Sequence, residues 1–130
     1  MPTPSYAAVS DVLRRLMSTF SVEITPYEAP TLPPLPDLLA DGTAVYLTFL
    51  PRTPWEQTVA VARSVREAGM RPVPHLAARA VPDRTALRYM LADLAAVGVE
   101  DLLVLGGSLA TPVGEFHETC LLYTSDAADE

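Results

Sequence analysis

The chain is short of most features that announce a function. Its single cysteine, Cys120, excludes an intrachain disulfide and any paired-cysteine metal or redox motif. Nine basic residues, all arginine and scattered, face sixteen acidic ones, for a net charge of −7. That balance argues against a nucleic-acid partner, whose phosphates call for clustered Lys and Arg. No run of 18 apolar residues exists, so nothing is expected to span a membrane. Arg14 and Arg15 interrupt the N-terminus before a signal-type apolar core could form, and a cytoplasmic location is the expectation. There is no metal-ligand cluster, no G-x-S-x-G elbow, no phosphate loop and no G-x-G-x-x-G after the first strand.

What is present is a rhythm. Of the 130 residues, 49% are hydrophobic and 19% charged, which suits one ordinary globular unit. Four short apolar runs recur: Phe20–Thr25, Ala44–Phe49, Arg71–Leu76 and Asp101–Leu105. Their starts lie about 24 to 30 residues apart, the length of a strand, a helix and two loops. Between them lie helical patterns. Ser5–Ser18 has Val9, Val12, Leu13 and Leu16 at helical spacing, with Ser5 as a cap. A Pro-rich loop follows Pro26, then a short helix around Asp37–Ala40 that Gly42 ends. Thr53 and Glu56 predict a capping box with Pro54 at the first helical position, opening a helix that runs to about Ala68 before Gly69. Trp55, Val59, Ala62 and Val65 are its expected buried stripe. Asp83 should cap a helix that runs to about Val97 before Gly98, with Leu87, Leu91 and Leu94 inward. The thirteen prolines are expected between the runs rather than within them.

Alternating strands and helices predict an α/β fold with a parallel sheet and right-handed crossovers. Pattern alone does not separate an open doubly wound sheet from a (β/α)8 barrel, although the missing first-strand fingerprint counts against a dinucleotide-binding domain.

Residues 120–130 read Cys-Leu-Leu-Tyr-Thr-Ser-Asp-Ala-Ala-Asp-Glu and closely resemble one frame of a transposase-type sequencing adapter. They are therefore expected to be an artefact tail and are set aside for fold reasoning. Residues 1–119 then form a partial domain, the N-terminal part of something longer. Asp126, Asp129 and Glu130 supply three of the negative charges.

Each apolar run carries one polar group of chemical use. Glu23 lies between Val22 and Ile24, where a carboxylate must be paired, reach solvent at a strand edge, or face a cavity that raises its pKa as a general acid needs. Thr48 closes the second run and is either a ligand contact or simply a good strand former. His75, between Pro74 and Leu76, is either a core histidine or a site residue. Gly106-Gly107-Ser108 is either a plain turn or a place where backbone approaches a ligand closely. A parallel sheet delivers the ends of its strands to one rim, where barrel enzymes keep their chemistry, so the four would converge.

Four segments resemble the methylenetetrahydrofolate reductase family: Phe20-Ser21-Val22-Glu23-Ile24-Thr25-Pro26, Val45-Tyr46-Leu47-Thr48-Phe49, Pro74-His75-Leu76-Ala77 and Leu103-Val104-Leu105-Gly106-Gly107. The resemblance covers about residues 20–116. It implies the first four strands of a (β/α)8 barrel with FAD at the strand C-termini, reduced by NAD(P)H and passing hydride to 5,10-methylenetetrahydrofolate to give 5-methyltetrahydrofolate, a step of one-carbon metabolism toward methionine. By position, Glu23 matches the family's acid, which protonates the folate so that an iminium forms. Thr48 and His75 match flavin-lining residues, and Gly106, Gly107 and Ser108 match its Arg-Gly-Asp segment. Two positions depart: Gly106 replaces Arg, and Ser108 replaces an Asp beside flavin and pterin. The second leaves room for another one-carbon or pterin substrate, or for a flavin- or folate-binding module that lost catalysis. The parent is expected to be a homo-oligomer, and the fragment itself inactive.

Overall fold

Alternation within the strands sorts the sheet into two unlike faces. The computed structural model describes residues 1–122, so most of the adapter-like tail lies outside the described residues. The elements run α1 (Tyr6–Met17), β1 (Val22–Ile24), α2 (Leu35–Leu38), β2 (Ala44–Leu47), α3 (Trp55–Glu67), β3 (Arg71–Ala77), α4 (Arg84–Ala96) and β4 (Leu103–Leu105), with 3-10 turns at Ala29–Thr31 and Ala78–Ala80. All four strands are parallel, in the order β1-β2-β3-β4. A doubly wound sheet reverses its strand order at a switch point. This one does not reverse, and α2, α3 and α4 pack on one face.

Register sets that face. Val22 pairs with Val45 and Ile24 with Leu47, while Val45 and Leu47 pair with Pro72 and Pro74. Side chains of this parity point toward the helices. Val45 and Leu47 are fully buried with Val61, Ala62, Val65, Met70 and Leu94, and α2 adds Leu35 to the same cluster. Each fully buried aliphatic side chain contributes about 1.5–3 kcal/mol. A second cluster joins Leu76, Ala78, Val81, Leu87, Phe116 and Leu122.

Helix ends follow the expected chemistry with one exception. Asp83 caps α4 by accepting from the Ala86 N–H at 2.8 Å. Gly69 and Gly98, at φ 84° and 83°, close α3 and α4. In each, the two N–H groups past the cap return to the last turn, Gly69 to Arg66 and Met70 to Val65, Gly98 to Ala95 and Val99 to Leu94. The Thr53–Glu56 capping box does not form. Helix α3 starts at Trp55 with Pro54 as its cap residue, so Thr53 stands one position too early to reach the helical N–H groups. Its hydroxyl is buried without a partner. The box forms instead at Thr25 and Glu28: the Glu28 carboxylate accepts from the Thr25 N–H at 3.0 Å, and the Thr25 hydroxyl accepts from the Glu28 N–H at 3.2 Å. The Thr25 N–H and, at 2.9 Å, the Thr25 hydroxyl both donate to that carboxylate and hold it below its usual range.

Two other expectations are corrected, for the α3 stripe and for the prolines. The buried stripe of α3 includes Thr58 and Val61, while Trp55 and Val59 are partly buried. Two prolines, Pro72 and Pro74, lie inside β3 and are fully buried. In a parallel ladder alternate residues bond to opposite neighbours, and Arg71 donates toward β2, at Thr43. The prolines therefore lack their N–H on the β4 side, where pairing begins only at His75. Helix α1 forms under its Ser5 cap, but its apolar stripe covers nothing among the described residues, and Leu16 is 68% exposed.

Candidate functional site

The other face of the sheet carries residues of the opposite parity, and among the described residues no helix packs on it, although Val73, His75 and Ala77 there are buried. Glu23 is level with Tyr46 and Tyr46 with Val73. One step further along, Thr48 and His75 come level, and Ala77 follows His75 on the same face. The edge strands, β1 and β4, are three residues each and lack an outer neighbour among the described residues.

Three of the expected site residues meet here. The Thr48 hydroxyl donates to Glu23 Oε1 at 2.6 Å. Glu23 is exposed on the edge strand, which is the strand-edge alternative rather than the cavity, and its partner is a hydroxyl rather than an arginine. His75 is 9% exposed, and its Nε2 is buried with no hydrogen-bond partner. The Tyr46 ring meets the imidazole edge to face, with centroids 6.1 Å apart and planes at 66°. Burial pushes the His75 pKa below its ordinary 6.5, and the nearby Glu23 carboxylate opposes that shift. The lowered pKa favours the neutral imidazole, and its Nε2 has no partner among the described residues.

The glycine turn arrives from β4. Gly107, at φ 99°, sits against β3, where a Cβ would come 3.2 Å from the Cβ of Ala77. That contact fixes the turn beside Ala77, two residues past His75 on the same face. Gly106 has open space around it, and its carbonyl accepts from the Arg79 N–H at 2.9 Å. Ser108 is exposed and bonds to none of Glu23, Thr48 or His75.

Arg79 is the residue sequence reasoning missed. Its guanidinium donates to the carbonyls of Leu109 and Ala110, each at 2.6 Å, and of His117 at 3.2 Å. Its own carbonyl accepts from Val113 at 2.8 Å. One side chain thus ties the segment after β4 to the end of β3. The available signal was an arginine alone between Ala78 and Ala80, directly after an apolar strand.

The arrangement offers a carboxylate with one oxygen engaged and one free, a neutral imidazole with an unused nitrogen, and a glycine turn open to close approach. These can hold a proton, bond a planar heterocycle and admit it against backbone. Among the described residues no group of three His, Cys, Asp or Glu could hold a metal ion, and no helix is long and apolar enough to cross a membrane. No family model matches the chain.

Proposed function

We propose that this chain supplies the first four βα units of a (β/α)8 barrel enzyme of the methylenetetrahydrofolate reductase type. The strand order, the single helical face and the two open edges support the barrel reading, because parallel sheets are normally covered on both faces. The observation that carries the function is the Glu23–Thr48 hydrogen bond on the same face as the unpartnered His75 nitrogen.

The residues present fit a flavin. The unpartnered, buried Nε2 of His75 is suited to bond a polar ring edge, and the backbone at Gly106 has open space beside it. Thr48, His75, Gly106, Gly107 and Ser108 would hold the FAD. When bound, it would supply hydride relay from NAD(P)H to 5,10-methylenetetrahydrofolate. Glu23 is the acid in this reading. Thr48 engages Oε1 and orients the carboxyl, so that Oε2 is left to carry the proton to the folate. The cover Glu23 needs would come from the remaining barrel units.

The test is steady-state NAD(P)H oxidation with a folate acceptor, on protein from the uninterrupted gene. Glu23→Gln should cut folate reduction by about 10²–10⁴-fold, the usual worth of a positioned acid, and leave flavin reduction by NAD(P)H intact. Unchanged folate turnover in that variant would remove Glu23 from the mechanism.

A second reading rests on Ser108, which brings no carboxylate to the rim. It makes the protein a relative acting on another one-carbon or pterin substrate, or a flavin- or folate-binding module without turnover. Ser108→Asp separates the two: gained folate reduction favours a lapsed reductase, and no gain favours a different substrate.

A further inference from the structure

The segment that follows β4 does not hold its own shape. Residues Gly106–His117 run without a helix or a strand. No backbone N–H between Gly107 and His117 bonds to a carbonyl of the same stretch. The far end is fixed, because Phe116 is buried in the second core and a Cβ at Gly114 would overlap the Pro82 carbonyl. Between that anchor and β4, the hydrogen bonds that shape the segment come from Arg79.

The side chain suits the task. Nε and Nη2, on one edge of the planar guanidinium, take the consecutive carbonyls of Leu109 and Ala110, and Nη1 reaches that of His117. No carboxylate pairs with Arg79 among the described residues, so its charge goes to backbone oxygens. Hydrogen bonds from a charged donor are about twice as strong as neutral ones. The main chain of the same residue holds the other side of the turn, since its N–H donates to the Gly106 carbonyl at 2.9 Å. Gly107 and Ser108 are therefore bracketed. One bracket is a backbone bond that a side-chain substitution at 79 leaves in place, and the other is the guanidinium.

We propose that Arg79 is a positioning residue for the ligand site. Its guanidinium sets how far the Gly106-Gly107-Ser108 turn projects at the rim of the open face, and so how closely the turn's backbone meets a planar cofactor. A turn held in place beforehand binds more tightly, because no loop has to be ordered on binding. The inference rests on the flavin reading and adds a residue which that reading did not contain.

The experiment titrates FAD into protein from the uninterrupted gene, as the parent, Arg79→Ala and Arg79→Lys. Arg79→Ala should weaken FAD binding about tenfold, the worth of one hydrogen bond to a charged group, while far-UV circular dichroism stays unchanged. Millimolar guanidinium should restore part of that affinity and leave the parent unaffected. Arg79→Lys, a point charge that does not span two consecutive carbonyls, should lie between the two and shift the absorption bands of the bound flavin. An arginine with a structural role alone would lower the denaturation midpoint and move neither the affinity of the folded protein nor those bands. If Arg79→Ala fails to fold, Arg79→Lys decides on the same criterion. Parent-like affinity in either folded variant overturns the role of Arg79 and leaves the flavin reading standing. A parent protein that takes up no flavin overturns both.

Discussion

The two faces of the sheet are built from the same four strands and share almost nothing else. On the helical face Val45 and Leu47 are fully buried and meet side chains from three helices. On the open face Tyr46 is half-buried, Glu23 is exposed, and Leu103 is 40% exposed. A one-residue step along a strand moves between these environments. The contrast is sharpest at β1 and β2; on β3 the open-face residues Val73, His75 and Ala77 are buried as well.

That contrast can be broken most forcefully at Leu47. Leu47→Ala should cost about 2–5 kcal/mol, as a buried leucine deletion does, read as a lowered denaturation midpoint. A surface-sized loss would mean that the helical face is not the core. Next is the rim. Gly107→Ala must adopt a left-handed backbone, which costs an L residue about 1–2 kcal/mol, and must also press on Ala77. Wild-type stability in that variant would mean that the turn does not sit against β3.

Acid should discriminate between the faces as well. The His75 pKa is lowered, so the folded chain favours the neutral ring, and the unfolded chain takes up protons first. The stability contributed by the neutral ring is complete above pH 6.5 and falls as the pH drops from there toward the lowered folded value. Glu28 acts at lower pH: its bonded carboxylate stabilises the fold above its ordinary 4.5, and that contribution is lost as the pH falls through its depressed folded value. Denaturation followed against pH should show the upper slope vanish in His75→Gln and persist in Glu28→Gln. The smallest effect belongs to the open edge. Leu103→Glu should shift stability by no more than about 0.5 kcal/mol, like other exposed substitutions. A large loss there would mean that something covers the open face.

Much of this was legible in residue order, for identifiable reasons. Strand parity and glycine positions follow from local geometry, so Gly69, Gly98 and the Asp83 cap fall where the pattern puts them. The common rim of Glu23, Thr48 and His75 follows from the β-α period. The sequence repeats one motif twice, Thr25-Pro26-Tyr27-Glu28 and Thr53-Pro54-Trp55-Glu56, and only the first closes a capping box. At α3 the cap residue is Pro54, so Thr53 stands outside the helix, while Trp55 packs against both cores. Pro72 and Pro74 lie within a run expected to be a strand, and their missing N–H groups are tolerated because β4 pairs only from His75. The partners of Arg79 could not be read from the sequence, because they are carbonyls 30 to 38 residues away, which no local pattern encodes.

The most direct measurement is a flavin titration of the protein from the uninterrupted gene, comparing the parent sequence with His75→Leu, which keeps the bulk and removes the unpartnered nitrogen. The account predicts stoichiometric FAD binding by the parent and a clear loss of affinity in the variant. A parent protein that neither carries flavin nor takes it up would contradict the claim that the open face is a flavin site.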